Sequence, residues 1–110
     1  MLIEEAPDGD CLVIDLMESR LDAVIAANFR DTLVERIDQG NHNIVLDLTQ
    51  VGFMDSSGLG ALVFVLKHLA HKGGRLHICG VTAGVMAVLK LTRMDRVLKT
   101  FETRQAAVAA

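Results

Sequence analysis

Short apolar runs alternate along this chain with longer segments whose apolar residues recur every three or four positions. That alternation constrains the fold more than any other feature, because strand–helix–strand units imply crossovers into a mostly parallel sheet. Leu2 to Glu5 and Cys11 to Met17 read as strands, joined through the turn cluster Pro7-Asp8-Gly9-Asp10 into a hairpin. Leu21-Asp22-Ala23 leads into a helix that runs to about Asp38. Ala26, Phe29, Leu33 and Ile37 recur there at helical spacing, with Arg30, Asp31, Glu35 and Arg36 opposite, and Gly40 suits its stop. Asn43 to Leu48 is a strand. A second helix, from near Ser57 to about Lys72, has Leu59, Leu62, Val63, Leu66, Leu69 and Ala70 as its expected buried stripe, and Gly73-Gly74 ends it. Arg75 to Gly80 alternates as a strand. Thr82 can cap a third helix with Val85, Val88 and Leu89 facing in. Val97 to Phe101 is a last strand and Thr103 to Ala109 a weak terminal helix. The predicted order is β-β-α-β-α-β-α-β-α. It describes an α/β fold, a mixed and mostly parallel sheet of about five strands packed with about four helices, with an antiparallel edge.

A length of 110 residues suits one domain over 1–110, and 51% apolar residues suffice for a single core. The net charge is −3, and acids and bases read as mixed, without a basic stripe. Nucleic acid is therefore not the expected partner, since its phosphates demand clustered Lys and Arg, and four phenylalanines make no stacking platform. The N-terminus lacks the basic and apolar regions of a signal peptide. Apolar stretches are broken by Lys67, or by Gly80 and Gly84, well before membrane-spanning length, so direct membrane insertion is not expected and a cytoplasmic protein is. Cys11 and Cys79 fall inside apolar strands and read as buried, reduced thiols. A disulfide would need their strands adjacent, and no CxxC spacing suggests zinc or redox chemistry.

One stretch resists a purely structural explanation. Met54-Asp55-Ser56-Ser57-Gly58-Leu59-Gly60 opens the second helix with two serines and two glycines. Each glycine costs a helix roughly 1 kcal/mol relative to alanine. A P-loop would need a lysine after Gly60, where Ala61 stands. A dinucleotide fingerprint would need glycine at Val63, and a nucleophile elbow would need glycine at Met54 or Asp55. His68 and His71 share a polar helix face with Lys67 and Lys72 rather than forming a metal motif, and His42 and His77 have no nucleophile and carboxylate nearby in sequence. No metal site or cofactor is therefore expected, and an enzyme, such as a weak nucleotide hydrolase, lacks a visible base. Asp55 and the serines can cap the helix, which is one complete account of their presence. It leaves the glycines unexplained, unless another backbone approaches there or the first-turn N–H groups stay open. Two exposed hydroxyls at such a junction make a contact or modification site. Phosphorylation would add about −1.5 to −2 charges near a positive helix end, tolerable to the fold but not to a tightly packed partner.

Phe53-Met54-Asp55-Ser56-Ser57-Gly58-Leu59-Gly60 resembles the signature of the STAS domain in bacterial anti-sigma factor antagonists of the SpoIIAA and RsbV type. The resemblance extends through Ser19-Arg20-Leu21-Asp22-Ala23, Ile44-Val45-Leu46-Asp47-Leu48, Lys72-Gly73-Gly74-Arg75-Leu76 and the stretch Val85 to Leu98. It implies the STAS (SpoIIAA-like) fold and a partner-switching role in transcription regulation. The unphosphorylated antagonist binds an anti-sigma factor, itself a serine kinase of the histidine-kinase-like ATPase fold, and frees the sigma factor. Phosphorylation of the motif's first serine releases the complex, and a PP2C-type phosphatase restores it. By position the acceptor is Ser56, with Asp22, Met54, Asp55, Ser57, Gly58, Leu59 and Gly60 shaping the partner surface. Ser19 and Arg93-Met94 depart from the family, where many relatives have glycine and Gly-Leu. The alternative within the resemblance is a constitutive STAS scaffold subunit of a transporter or lipid-transport ATPase complex.

Overall fold

The computed structural model describes all residues 1–110. Strands β1 (Ile3–Asp8) and β2 (Cys11–Leu16) form the expected antiparallel hairpin, in register from Ile3 opposite Leu16 to Asp8 opposite Cys11. The turn is tighter than the sequence suggested. Only Gly9 and Asp10 lie outside the ladder, and Gly9 takes a positive φ of 62°, as a two-residue hairpin loop with glycine first requires. Pro7 stays within β1, which its lack of an N–H permits on an edge strand.

From β2 the sheet continues parallel through β4 (Asn43–Asp47), β6 (Arg75–Cys79) and β7 (Lys99–Phe101), giving the order β1-β2-β4-β6-β7. The three central strands are near-continuous apolar runs because both faces are covered. On one face Ile14, Leu46 and Ile78 pack under helices α1 (Ala26–Asp38), α2 (Ser56–His71) and α3 (Ala83–Leu91) in the main core. On the other, Cys11, Val13, Val45 and Cys79 meet Ala107 of the short helix α4 (Arg104–Ala109) in a smaller core. His77, buried on this face, hydrogen-bonds through Nδ1 to the Ala107 carbonyl at 3.0 Å. Arg104 donates to Asp47 at 2.8 Å and reaches Asp15 at 3.5 Å, tying α4 to the sheet. Cys11 and Cys79 are both buried and free. The register sets them four residues and two strands apart, roughly 16 Å, which rules out a disulfide between them.

Two elements escaped the sequence reading. Strands β3 (Arg20–Leu21) and β5 (Phe53–Met54) form a separate two-stranded parallel pair, and a 3-10 turn spans Met94–Arg96. Helix α1 also starts later than expected, after a turn over Asp22 to Ile25 in which the Ala26 N–H donates to the Asp22 carbonyl at 2.8 Å. The buried stripe of α2 is rotated by about one residue from the expected one. Gly58, Ala61, Leu62, Val65 and Leu69 face in, whereas Leu59, Val63 and Leu66 are half-buried and Ala70 is exposed.

Candidate functional site

The small β3–β5 pair builds the platform for the serine-containing stretch. Leu21 and Met54 are register partners, both buried, so the chain leaves β5 fixed against the segment that leads into α1. Asp55 follows in extended conformation, as a helix N-cap requires, and its carboxylate holds two segments together. One oxygen accepts from the Gly58 N–H at 2.9 Å, within α2. The other accepts from the Ala23 N–H at 3.1 Å, in the turn before α1. Its own N–H donates back to the Leu21 carbonyl at 3.4 Å. Hydrogen bonds from the N–H groups of Gly58, Ala23 and Ser57 outweigh burial and hold the Asp55 carboxyl below the usual carboxylate range.

This arrangement divides the motif between interior and surface. Met54 is only 2% exposed, and Gly58 is buried, so the expectation that both would touch a partner is corrected. The reason at Gly58 is internal. A Cβ there would lie 2.0 Å from the Leu21 carbonyl oxygen, so the close backbone approach that the glycine permits is made by the chain itself. Leu59 is half-buried and packs on the main core. Ser56, Ser57 and Gly60 are exposed, and a Cβ on Gly60 would meet nothing within 4 Å. Neither serine hydroxyl is engaged within the chain, because Asp55 performs the capping.

Asp22 lies beside this junction. Its carboxylate accepts from the Val24 N–H at 3.1 Å and from Arg20 Nε at 3.1 Å, and so orders the turn between β3 and α1. Arg20 in turn stacks over the Phe53 ring, 4.1 Å from its centroid. Between α1 and α2 runs a groove of about 340 Å³, floored by Ala23, Ala26, Gly60 and Ala61 and bounded by Ser57, Arg30 and Phe64. Phe64 on its wall is 49% exposed, and Val24, next to Ala23, and Phe53, next to Met54, are 87% and 41% exposed. From the sequence alone neither Val24, Phe64 nor the groove was assigned to the site, and Phe53 and Arg20 entered only within the stretches that carry the resemblance. Their one signal was an apolar residue at a position where the helical period puts solvent, as at Phe64.

The histidines stand apart from this site. His68 Nε2 lies 2.8 Å from Asp38 on the surface between α1 and α2, and His77 is buried beside the smaller core, against Phe101 and the Ala107 carbonyl. No helix is long and apolar enough to cross a membrane.

Comparison with known proteins bears on the family and the fold. The STAS domain family matches residues 5–107. The candidate anti-sigma factor antagonist BtrV of Bordetella bronchiseptica is 26% identical over 101 residues, which is 92% of this chain and 87% of that one. The anti-sigma-B factor antagonist of Staphylococcus epidermidis is 29% identical over 82 residues, 74% of this chain and 76% of that one. The crystal structure of a candidate anti-sigma factor antagonist from Thermotoga maritima superposes with a TM-score of 0.87 at 28% identity, covering 97% of this chain and 92% of that one.

Proposed function

Because the chain belongs to the STAS family, we propose that it is an anti-sigma factor antagonist whose binding is switched off by phosphorylation of Ser56. The observation that carries this reading is the division of labour at the start of α2. Asp55 satisfies the first turn, so Ser56 is free to be modified without cost to the fold. The chain acts as a binding module and as a kinase substrate rather than as an enzyme. Its partner is an anti-sigma factor that is also a serine kinase of the histidine-kinase-like ATPase fold, and a PP2C-type phosphatase resets it.

The partner docks over Ser56, Ser57 and the groove between α1 and α2, with Val24, Phe53 and Phe64 as apolar contacts. Asp22, Met54, Asp55, Gly58 and Leu59 serve that surface by positioning it. Apolar side chains around a shallow small-residue groove suit a well-packed protein interface. A phosphate at Ser56 would place about two negative charges next to Asp55 at the rim of that interface, where no neighbouring cation of this chain is free of an acid. Desolvating that charge against the partner breaks the complex.

Mass spectrometry tests the reading. The protein is incubated with ATP and each serine kinase of that fold from its host, beside a Ser56→Ala control. One phosphate on Ser56, absent from the control, is the expected result. A chain that binds one of these kinases yet gains no phosphate, and that co-purifies with a membrane ATPase, would overturn the switch in favour of a constitutive scaffold.

A further inference from the structure

The charges of this chain are segregated between its two halves rather than mixed. Residues 1–55 hold twelve of the fourteen acids and three of the eleven Lys and Arg; residues 56–110 hold two acids and eight bases. The second half thus carries a net +6 in a chain of net −3. One of these bases, Lys67, lines a second groove on α2, apart from Ser56, and Arg93 and Arg96 are sequence neighbours of its lining residues. The groove lies between the outer face of α2 and the 3-10 turn, holds about 540 Å³, and is lined by Val63, Leu66, Lys67, Ala70, Met94 and Val97. Of its lining residues Val97 is 57% exposed, and Val63, Leu66 and Met94 are half-buried, so the groove is apolar and open to water.

The cations here have no internal work. Lys67 lines the groove, and Arg93 and Arg96 flank its residues Met94 and Val97 in the chain. None of the three forms an ion pair, and neither does Lys90 one turn before Arg93. Asp95 is the one acid of the segment. The backbone of Arg93, at a φ of 64°, closes α3 and opens the 3-10 turn, which leaves its side chain exposed.

We infer that this groove is a second docking site, and that it takes an acidic amphipathic helix of a partner protein. Apolar side chains of such a helix fill the groove at helical spacing, while its carboxylates meet Lys67, Arg93 and Arg96. A second copy of this chain offers no such ligand, because the apolar residues of its acidic helix α1, Ala26, Phe29, Leu33 and Ile37, are already buried. A concave groove also suits a helix better than a flat anionic membrane does. The groove begins seven residues along α2 from Ser56, roughly 10 Å, and extends to about 20 Å. A helix seated there leaves the phosphorylation site uncovered.

The test uses the full chain, isotope-labelled, and a synthetic helical peptide of about 18 residues, five turns, with leucines at i, i+3, i+4 and i+7 and glutamates elsewhere. Expected are amide shifts confined to Val63, Leu66, Ala70, Met94, Val97 and their neighbours, weakening with salt. The exposed triple substitution Lys67→Glu/Arg93→Glu/Arg96→Glu should lower affinity at least about tenfold with unchanged circular dichroism, and Ser56→Asp should leave affinity unchanged. Shifts located elsewhere, equal affinity for a lysine-for-glutamate peptide, or binding of phosphatidylserine vesicles without binding of the peptide would each overturn the inference.

Discussion

Helices α2 and α3 both begin just after a strand, each behind a capping side chain and each with a glycine pressed against a neighbouring carbonyl. At α3 the Thr82 hydroxyl is fully used, accepting from the Val85 N–H at 3.5 Å and donating to the Val51 carbonyl at 2.7 Å. Nothing polar remains on its first turn, where Ala83 and Gly84 follow. At α2 the cap is a carboxylate that also ties down the turn before α1, and two serines follow with hydroxyls that the fold does not use. The difference separates what a helix start needs in order to fold from what it carries for another purpose. Gly58, Gly84, Asp55 and Thr82 belong to the first class, and Ser56, Ser57 and Gly60 to the second.

The largest effect should come from Gly58→Ala. The added Cβ would lie 2.0 Å from the Leu21 carbonyl oxygen and 2.8 Å from its carbon, in a strand that Met54 and Asp55 hold in place. Overpacking against backbone costs about 3 kcal/mol and is only partly offset by alanine's better helix propensity. A fall of roughly 10 °C in thermal midpoint is expected. Gly84→Ala meets the Gly52 carbonyl oxygen at 2.5 Å, a less severe approach than at Gly58, and should lose about half as much. Equal midpoints for the two variants would show that the closer approach at Gly58 costs no more than the one at Gly84.

The caps come next. Thr82→Ala should cost about 1 kcal/mol, independent of pH. Asp55→Ala should cost more, because two N–H groups on separate segments lose their acceptor. Since hydrogen bonds from Gly58, Ala23 and Ser57 lower the folded-state pKa of Asp55, its stabilisation is complete above the unfolded carboxylate value near 3.9. It is lost as pH falls through the lower folded value. Urea unfolding at several pH values should therefore show the Asp55→Ala deficit shrinking below about pH 4, while the Thr82→Ala deficit holds. A constant Asp55→Ala deficit would mean that the residue acts through packing and not as an acceptor.

Much of this was legible in the sequence, and the failures have physical causes. The central strands announced themselves through uninterrupted runs such as Ile44 to Leu46, because a parallel sheet covered on both faces tolerates no polar alternation. The motif's place at a helix start was legible, but β5, the strand directly before that helix, was not. The inward face of α2 was misjudged because periodicity weighs bulk. The elements that come closest there need the smallest residues, Gly58 and Ala61, which pushes Leu59 and Phe64 outward. The β3–β5 pair is too short for any period to register, and without it the internal role of Gly58 could not be seen. Arg93, flagged as a departure where relatives have glycine, occupies a left-handed position that favours glycine.

Gly60 offers a smaller test. Its Cβ would meet no atom within 4 Å, so Gly60→Ala should stabilise the chain by up to about 1 kcal/mol through helix propensity. The methyl group would project into the groove between α1 and α2, so affinity for the partner kinase should fall in a titration with the same variant. A more stable protein with undiminished affinity would remove the groove from the docking surface while leaving Ser56 in place.

The smallest effect on the fold, and the sharpest contrast between the two helices, is expected from an acid placed at each first position. Ser56 and Ala83 are both exposed first residues of their helices. A carboxylate there is favoured by the helix dipole by about 0.3–1 kcal/mol, less any repulsion from Asp55 at the first site. Ser56→Asp and Ala83→Asp should each leave stability within about 0.5 kcal/mol of the parent. Only Ser56→Asp should abolish binding to the partner kinase, and Ser56→Ala should retain it. The Ala83 variant is the control that separates a charge at the docking site from charge in general. If the two acidic variants bind alike, the unused hydroxyl at α2 is not where the partner senses charge.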